Sequence, residues 1–329
     1  MMVMTESPPQ DRKPVAWVAG GSRGLGYALA GELGRAGYHV VISARTQTDL
    51  ARAANQLRAA GAEVTTRVHD VRDAAGARDL VQEIESRYGS IETVISVAGV
   101  ITVGPVPDLA EAYDESLDIM LRGPINVVHA VLPGMRERRR GRIGIVTSIA
   151  GVIPVPHLLA YSAAKHGAVG FARGLSEELT GSGITVSTII PGLMRTGGHW
   201  QAGYVGRSEQ EYAWFTGLSA LPIVAMDASR AARIIAAGVA AGRRKIIFTL
   251  PARLGDFVYR LSPVGVGTVV GAAGRLLPRP PDDASGDDQT HDDQAPGFRA
   301  AAGLPKVFDR FTALARNAVR RFNNQAGFQ

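Results

Sequence analysis

From Val15 to about Phe248, apolar runs of strand length alternate with longer amphipathic runs of helix length. That rhythm leaves few folds open, because strands joined by helical crossovers pair in parallel and bury both faces of their sheet under the helices. Strands are expected at Val15–Ala19, His39–Ser43, Glu63–Val68, Thr93–Val97, Arg142–Thr147, Ile184–Ile190 and Lys245–Phe248. Helices are expected over Gly24–Ala36, Thr48–Ala60, Ala74–Tyr88, Leu109–Arg138, Ala160–Gly181 and Ala228–Ala241. The expected fold class is α/β, a doubly wound parallel seven-stranded sheet with a C-terminal helical extension. Ligands of such sheets bind beyond the carboxyl ends of the strands, where Gly20, Ser96, Ser148 and Pro191 fall.

The first strand runs into Ala19-Gly-Gly-Ser-Arg-Gly-Leu-Gly26, which opens a helix. Gly20, Gly24 and Gly26 let the backbone bend sharply and approach a pyrophosphate, whose charge is met by amide N–H groups and the helix dipole. Ser22, Arg23 and Leu25 complete the turn. Glycine also serves purely steric turns, but the strand before and the helix after favour a Rossmann-like dinucleotide site. Enzymes that prefer NAD usually end the second strand on an acid that binds the ribose 2′-hydroxyl. Here that stretch reads Ile42-Ser-Ala-Arg45. With no carboxylate to repel a 2′-phosphate, and Arg45 and Arg23 able to pair with it, the expected cofactor is NADP(H).

Tyr161 and Lys165 lie four residues apart on one expected helix, so phenol and ammonium share a face. Ser148 lies thirteen residues before the tyrosine, at a strand end. A free phenol ionises near pH 10, and its use near neutrality needs a bias of roughly 3 to 4 kcal/mol. A lysine ammonium about 5 Å away at an effective dielectric of about 20 supplies on the order of 3 kcal/mol, so Lys165 is expected to be nearly sufficient. Tyr161 would give a proton to a carbonyl as hydride arrives, while Ser148 bonds the developing oxyanion.

The Gly-x-x-x-Gly-x-Gly spacing, with Tyr161-x-x-x-Lys165 and Ser148, resembles the short-chain dehydrogenase/reductase family from Pro14 to about Phe248. The resemblance implies an NADP-dependent oxidoreductase interconverting a ketone or aldehyde with its alcohol, with Ser148, Tyr161 and Lys165 as catalytic residues. It also implies that Lys165 binds the nicotinamide ribose and that Asp70 and Val71 contact the adenine. Ala98 and Gly99 would line the cofactor, and Pro191, Gly192 and Thr196 would close over the nicotinamide carboxamide. A homodimer or homotetramer would form through the Leu109–Arg138 helix, which carries the pair Leu132-Pro133, and the Ala160–Gly181 helix.

Two departures accompany the likeness. The family's Asn-Asn-Ala-Gly appears as Ser96-Val97-Ala98-Gly99, and the helix asparagine that completes its catalytic tetrad aligns with Met120 in Met120-Leu-Arg-Gly123. A thioether holds a proton-relay water poorly, so an altered relay or a weakly active cofactor-binding scaffold both stay open.

Thr196–Ala225 is where the family places a variable substrate lid. Its Trp200, Tyr204, Tyr212, Trp214, Phe215 and Leu218 argue for a bulky apolar carbonyl or alcohol, although the rings could equally pack internally.

The chain has 329 residues, no cysteine and a formal charge of +6. Disulfides, a thiol nucleophile and thiolate metal sites are therefore excluded. No nucleic-acid motif accompanies the basic charge, so no nucleic-acid partner is expected. His157, His166 and His199 show no metal spacing and read as surface or pocket-wall residues, with no metal expected. Residues 1–13 read as a disordered tail without the apolar core of a signal peptide, and a cytoplasmic location follows as the expectation.

The catalytic domain is expected over residues 14–250, followed by an apolar helical extension over 251–277. Within that extension Val264–Ala273 is too short to cross a bilayer and would lie on a membrane or on the protein. Residues 278–304 form an expected acidic disordered linker, with six aspartates between Pro280 and Pro296. Residues 305–329 read as a basic amphipathic helix, with Val307, Phe308, Phe311, Leu314, Ala315, Ala318, Val319 and Phe322 at helical spacing. That helix would dock on the body or make a peripheral contact with an anionic membrane.

Overall fold

The computed structural model of the chain describes residues 13–221, 225–279, 294–304 and 312–324. Its main sheet contains β1 (Val15–Ala19), β2 (His39–Ala44), β3 (Val64–Val68), β4 (Ile91–Ser96), β6 (Gly141–Val146), β7 (Ile184–Ile190) and β11 (Lys245–Ile247). Five two-residue strands form two small ribbons: β5 (Thr102–Val103), β8 (Met194–Arg195), β9 (Gly203–Tyr204), β10 (Met226–Asp227) and β12 (Ala295–Pro296). The main sheet runs β11-β7-β6-β4-β1-β2-β3, every pair parallel. Chain direction across the sheet reverses between β1 and β4, and that reversal opens a crevice above Gly20 and Ser96.

Helices cover both faces. On one side α1 (Gly24–Arg35), α2 (Gln47–Ala59) and α8 (Ala228–Ala240) bury Leu29, Leu50 and Ile235 against Val18, Val40 and Ile42. On the other, α3 (Ala74–Tyr88), α5 (Gly123–Glu137) and α6 (Leu159–Glu178) bury Ile84, Val127 and Ala172 against Trp17, Val94 and Ile143. Strands β1, β4 and β7 are buried along nearly their whole length because both faces are covered, whereas the edge strand β3 is mostly half-buried.

The expected Leu109–Arg138 helix is interrupted. It divides into α4 (Ala110–Leu117), a π turn at Asp118–Arg122, and α5. Pro124 has no N–H for the Met120 carbonyl four residues back, and Gly123 N–H instead reaches Asp118 O five residues back.

The lid also departs from expectation. Tyr204, Tyr212 and Phe215 are buried, with α7 (Ser208–Ala220) holding the last two against β9. Tyr204 meets Tyr212 and Phe215 in edge-to-face contacts, and Trp214 meets Phe215 likewise. These rings, with Val103, Leu158 and Ala300, form a small core of their own. Internal packing, not a substrate, accounts for them.

Past β11 the chain forms α9 (Leu250–Leu261) and α10 (Pro263–Gly274). Within the span expected as acidic linker, residues 294–304 are ordered: β12 pairs with β9, and Gly297–Ala300 forms a helical turn against the lid. Gln294 supports this by donating from Nε2 to the Thr102 hydroxyl. The remaining expected linker from residue 280, together with Val307, Phe308 and Phe311, lies outside the described residues. So does the expected tail, apart from Lys13.

A terminal helix, Ala313–Arg321, docks on the body. Ala315, Ala318, Val319 and Phe322 are buried, and Ala318 and Phe322 join the core beneath α1. In the described part, this buried face meets protein, the docking alternative of the two expected, while Leu314 stays exposed. No described helix is long and apolar enough to cross a membrane.

Candidate active site

One cleft at the carboxyl ends of β1, β4, β6 and β7 gathers almost all of the expected site. Gly20, Ser22, Arg23, Gly24, Leu25, Gly26, Arg45, Asp70, Val71, Ala98, Gly99, Ser148, Tyr161, Lys165, Pro191, Gly192 and Thr196 all line it. The glycines are fixed by space as well as conformation. A Cβ on Gly20 (φ 94°) would lie 2.5 Å from Ala98 N, and one on Gly26 would lie 2.0 Å from Gly20 O. Side chains there would push the turn away from β4 and leave no room at the helix start.

At the adenine end, Arg23 and Arg45 line the cleft and carry no ion pair among the described residues. Burial holds the Arg23 guanidinium below its ordinary value; nearby Asp49 opposes this, and the Arg45 charge adds to it. The two guanidinium groups are close enough to feel each other, and Asp49 and Asp70 line the same cleft. Asp70 pairs with Arg72 at 2.6 Å, which holds its carboxyl below the ordinary range.

At the end of the cleft that holds Tyr161, the Ser148 side chain accepts from Ala150 N at 3.1 Å and lies near enough to the phenol to draw its pKa down. Ile149 N donates to Pro191 O at 2.8 Å and ties the serine loop to β7. Lys165 is buried, sits 5.7 Å from the centre of the Tyr161 ring, and donates to Val146 O at 2.9 Å. Burial raises the Tyr161 pKa, with the Ser148 bond opposing, and lowers Lys165 to about 8. Desolvation is the largest influence on both groups.

Met120 is fully buried in the π turn, its sulfur beside Gly99. Ser96 Oγ is buried and has no hydrogen-bond partner.

Several lining residues had no local sequence signal. Val97, Val100, Ile101, Ile119 and Met194 add apolar lining to the cleft. The far terminus also reaches the cleft. Phe322 O accepts from Gly24 N at 2.7 Å, capping a free donor at the start of α1. Asn323 donates from Nδ2 to Ser22 O at 2.7 Å and to Asp49 O at 3.1 Å. Asn324 lines the cleft and donates from Nδ2 to Thr196 O at 2.7 Å.

The histidines are not all superficial. His157 bonds the fully buried Glu211 at 2.7 Å, and His199 is buried, with desolvation lowering its pKa to about 4. No metal-binding cluster exists among the described residues.

Comparison with known proteins shows the family. A family model described as short chain dehydrogenase matches residues 14–203. The monensin polyketide synthase putative ketoacyl reductase of Streptomyces virginiae is 40% identical over 190 residues, covering 57% of this chain and 73% of that protein. Dehydrogenase/reductase SDR family member 4 of Bos taurus is 35% identical over 195 residues, 59% of this chain and 70% of that protein. The crystal structure of a variant actinorhodin polyketide ketoreductase with NADPH superposes with a TM-score of 0.64 at 31% identity, covering 74% of this chain and 98% of that one. The chain therefore belongs to the short-chain dehydrogenase family, oxidoreductases that act on carbonyl and alcohol groups.

Proposed function

We propose that the chain is an NADP(H)-dependent oxidoreductase interconverting a carbonyl and an alcohol on a bulky apolar substrate. The observation that carries this reading is the meeting of Ser148, Tyr161 and Lys165 with the glycine turn in one cleft. A dinucleotide fits the residues present: the cradle at Gly20 and Gly26 has no space for side chains, and Arg23 and Arg45 offer unpaired charge for a 2′-phosphate. NADPH, when bound, supplies the hydride.

In the reductive direction the Tyr161 hydroxyl gives its proton to the carbonyl oxygen, and Ser148 Oγ donates a hydrogen bond to the same oxygen. Lys165, held against Val146 O, places its positive charge beside the phenol and stabilises the phenolate that remains. Val100, Ile101 and Met194 exclude water from the reacting carbonyl and favour an apolar substituent beside it.

The test is NADPH consumption with a panel of bulky apolar ketones. Tyr161→Phe is expected to lower turnover by about 10²- to 10⁴-fold while leaving NADPH affinity within about twofold. Turnover kept by that variant contradicts the assignment.

A second reading, a weakly active cofactor-binding protein of the same fold, is favoured by buried Met120 and the orphaned Ser96 hydroxyl. If the altered relay limits the rate, Met120→Asn raises turnover; an unchanged rate shows that Met120 does not limit it.

A further inference from the structure

Most amphipathic helices on a globular body turn their apolar side inward. Helix α9 does the reverse. Its body-facing side carries Ala252 and Asp256, both buried, while Leu250, Leu254, Phe257 and Leu261 face solvent. Asp256 is held by Lys245 on the neighbouring strand β11 and by Arg260. In α10 no residue is buried, and Val264 and Val269 stand exposed, as does Leu276 just beyond it. Leu250 is 78% exposed, Leu261 70%, Val264 82% and Leu276 88%. Of the fourteen large hydrophobic side chains exposed among the described residues, eight fall within residues 250–276. A monomeric soluble surface rarely gathers them so closely, and such a patch marks an interaction site.

The charges on this hairpin select the occupant. Between residues 250 and 279 the cations are Arg253, Arg260, Arg275 and Arg279, and the only acid is Asp256, which is buried and paired. A two-fold dimer through this face would set the patch against itself, bringing arginine to arginine with no exposed carboxylate within residues 250–279 to pair with them. An anionic bilayer meets both demands: its headgroups pair with the arginines and its acyl region takes the leucines and valines. Twelve residues of α10 span about 18 Å, short of the roughly 30 Å hydrocarbon core, so the hairpin lies in the interface rather than crossing it.

We infer that the α9–α10 hairpin is a membrane-docking surface that seats the protein on an anionic lipid bilayer. Its position is informative. A Cβ on Gly255 would lie 3.1 Å from Ile153, and one on Gly274 would lie 3.1 Å from Pro156. Both partners belong to the segment between Ser148 and Tyr161, and the start of α9 packs on Gly192 through Thr249 and Ala252. The hairpin thus flanks the rim of the cleft, where an apolar substrate dissolved in the bilayer would reach the site directly. The docking surface itself stands whether or not the chain reduces a carbonyl.

The test is co-flotation of the full-length protein with phosphatidylglycerol-containing vesicles and with phosphatidylcholine vesicles. Binding to the anionic vesicles is expected to be about tenfold tighter or more, and to weaken with salt. The double substitution Leu261→Glu and Val264→Glu alters two exposed side chains, so circular dichroism is expected to stay unchanged while vesicle binding is lost. Absence of wild-type binding at low salt overturns the inference. So does a wild-type dimer, seen by light scattering, that the same pair of substitutions splits without any vesicle binding; the face would then belong to a second copy.

Discussion

The terminal helix Ala313–Arg321 and helix α9 both carry arginines beside large apolar side chains, yet they face opposite ways. The first turns Ala315, Ala318 and Val319 into the body, with Phe322 just beyond; the second turns Leu254, Phe257 and Leu261 to solvent. The body decides the difference. Beneath the terminal helix lies a notch where glycine permits close approach, since a Cβ on Gly197 would fall 2.6 Å from Val319 Cα. Beneath α9 lies the edge strand β11, whose Lys245 offers a charge instead of an apolar surface, and Asp256 answers it. Amphipathicity announces that a helix has an apolar face; what that face meets depends on the neighbour.

Substitutions on the two helices separate these roles. Phe322→Ala should cost about 3 to 5 kcal/mol in urea unfolding, because a buried ring is removed from the core under α1. A cost below about 0.5 kcal/mol, within the range of a surface change, would show that the terminal helix is not docked. Asp256→Ala should cost about 2 kcal/mol, between the values for exposed and buried ion pairs, since its carboxylate is buried while Lys245 and Arg260 are partly exposed. No loss there would mean that α9 is held by something other than its polar side. Asn324→Ala should cost about 1 kcal/mol through the lost bond to Thr196 O. Unfolding curves coincident with wild type would remove that tie. Phe257→Ser should leave stability within about 0.5 kcal/mol, as expected of a side chain that touches little. A loss as large as that of Phe322→Ala would erase the contrast between the two helices.

What sequence could reveal follows the same division. The glycine turn, Ser148 and the Tyr161/Lys165 pair were legible because their chemistry depends on short spacings and on strand ends that hydrophobic periodicity marks. The doubly wound parallel sheet was legible from the alternation of strand-length and helix-length runs, whereas the order of its strands came only with the structure. The π turn at Asp118–Arg122 was hidden because its side chains continue a helical pattern, and only the missing N–H of Pro124 hints at the slip. The aromatic lid was visible as composition but not as direction: Tyr204, Tyr212 and Phe215 face one another. Asn323 meets Ser22 from 301 positions away, a contact that no local period encodes. The apolar lining at Val100, Ile101 and Met194 likewise comes from separate loops that only the fold brings together.

The proposed cofactor is what the glycine cradle, the two arginines and Tyr161 would all meet in the cleft. Side-by-side calorimetric titration of the full-length protein with NADPH and NADH tests this most directly. NADPH is expected to bind at least about tenfold tighter, a difference of about 1.4 kcal/mol, with Arg45→Asp erasing or inverting the preference. Equal affinity for the two, or binding of neither, would contradict it.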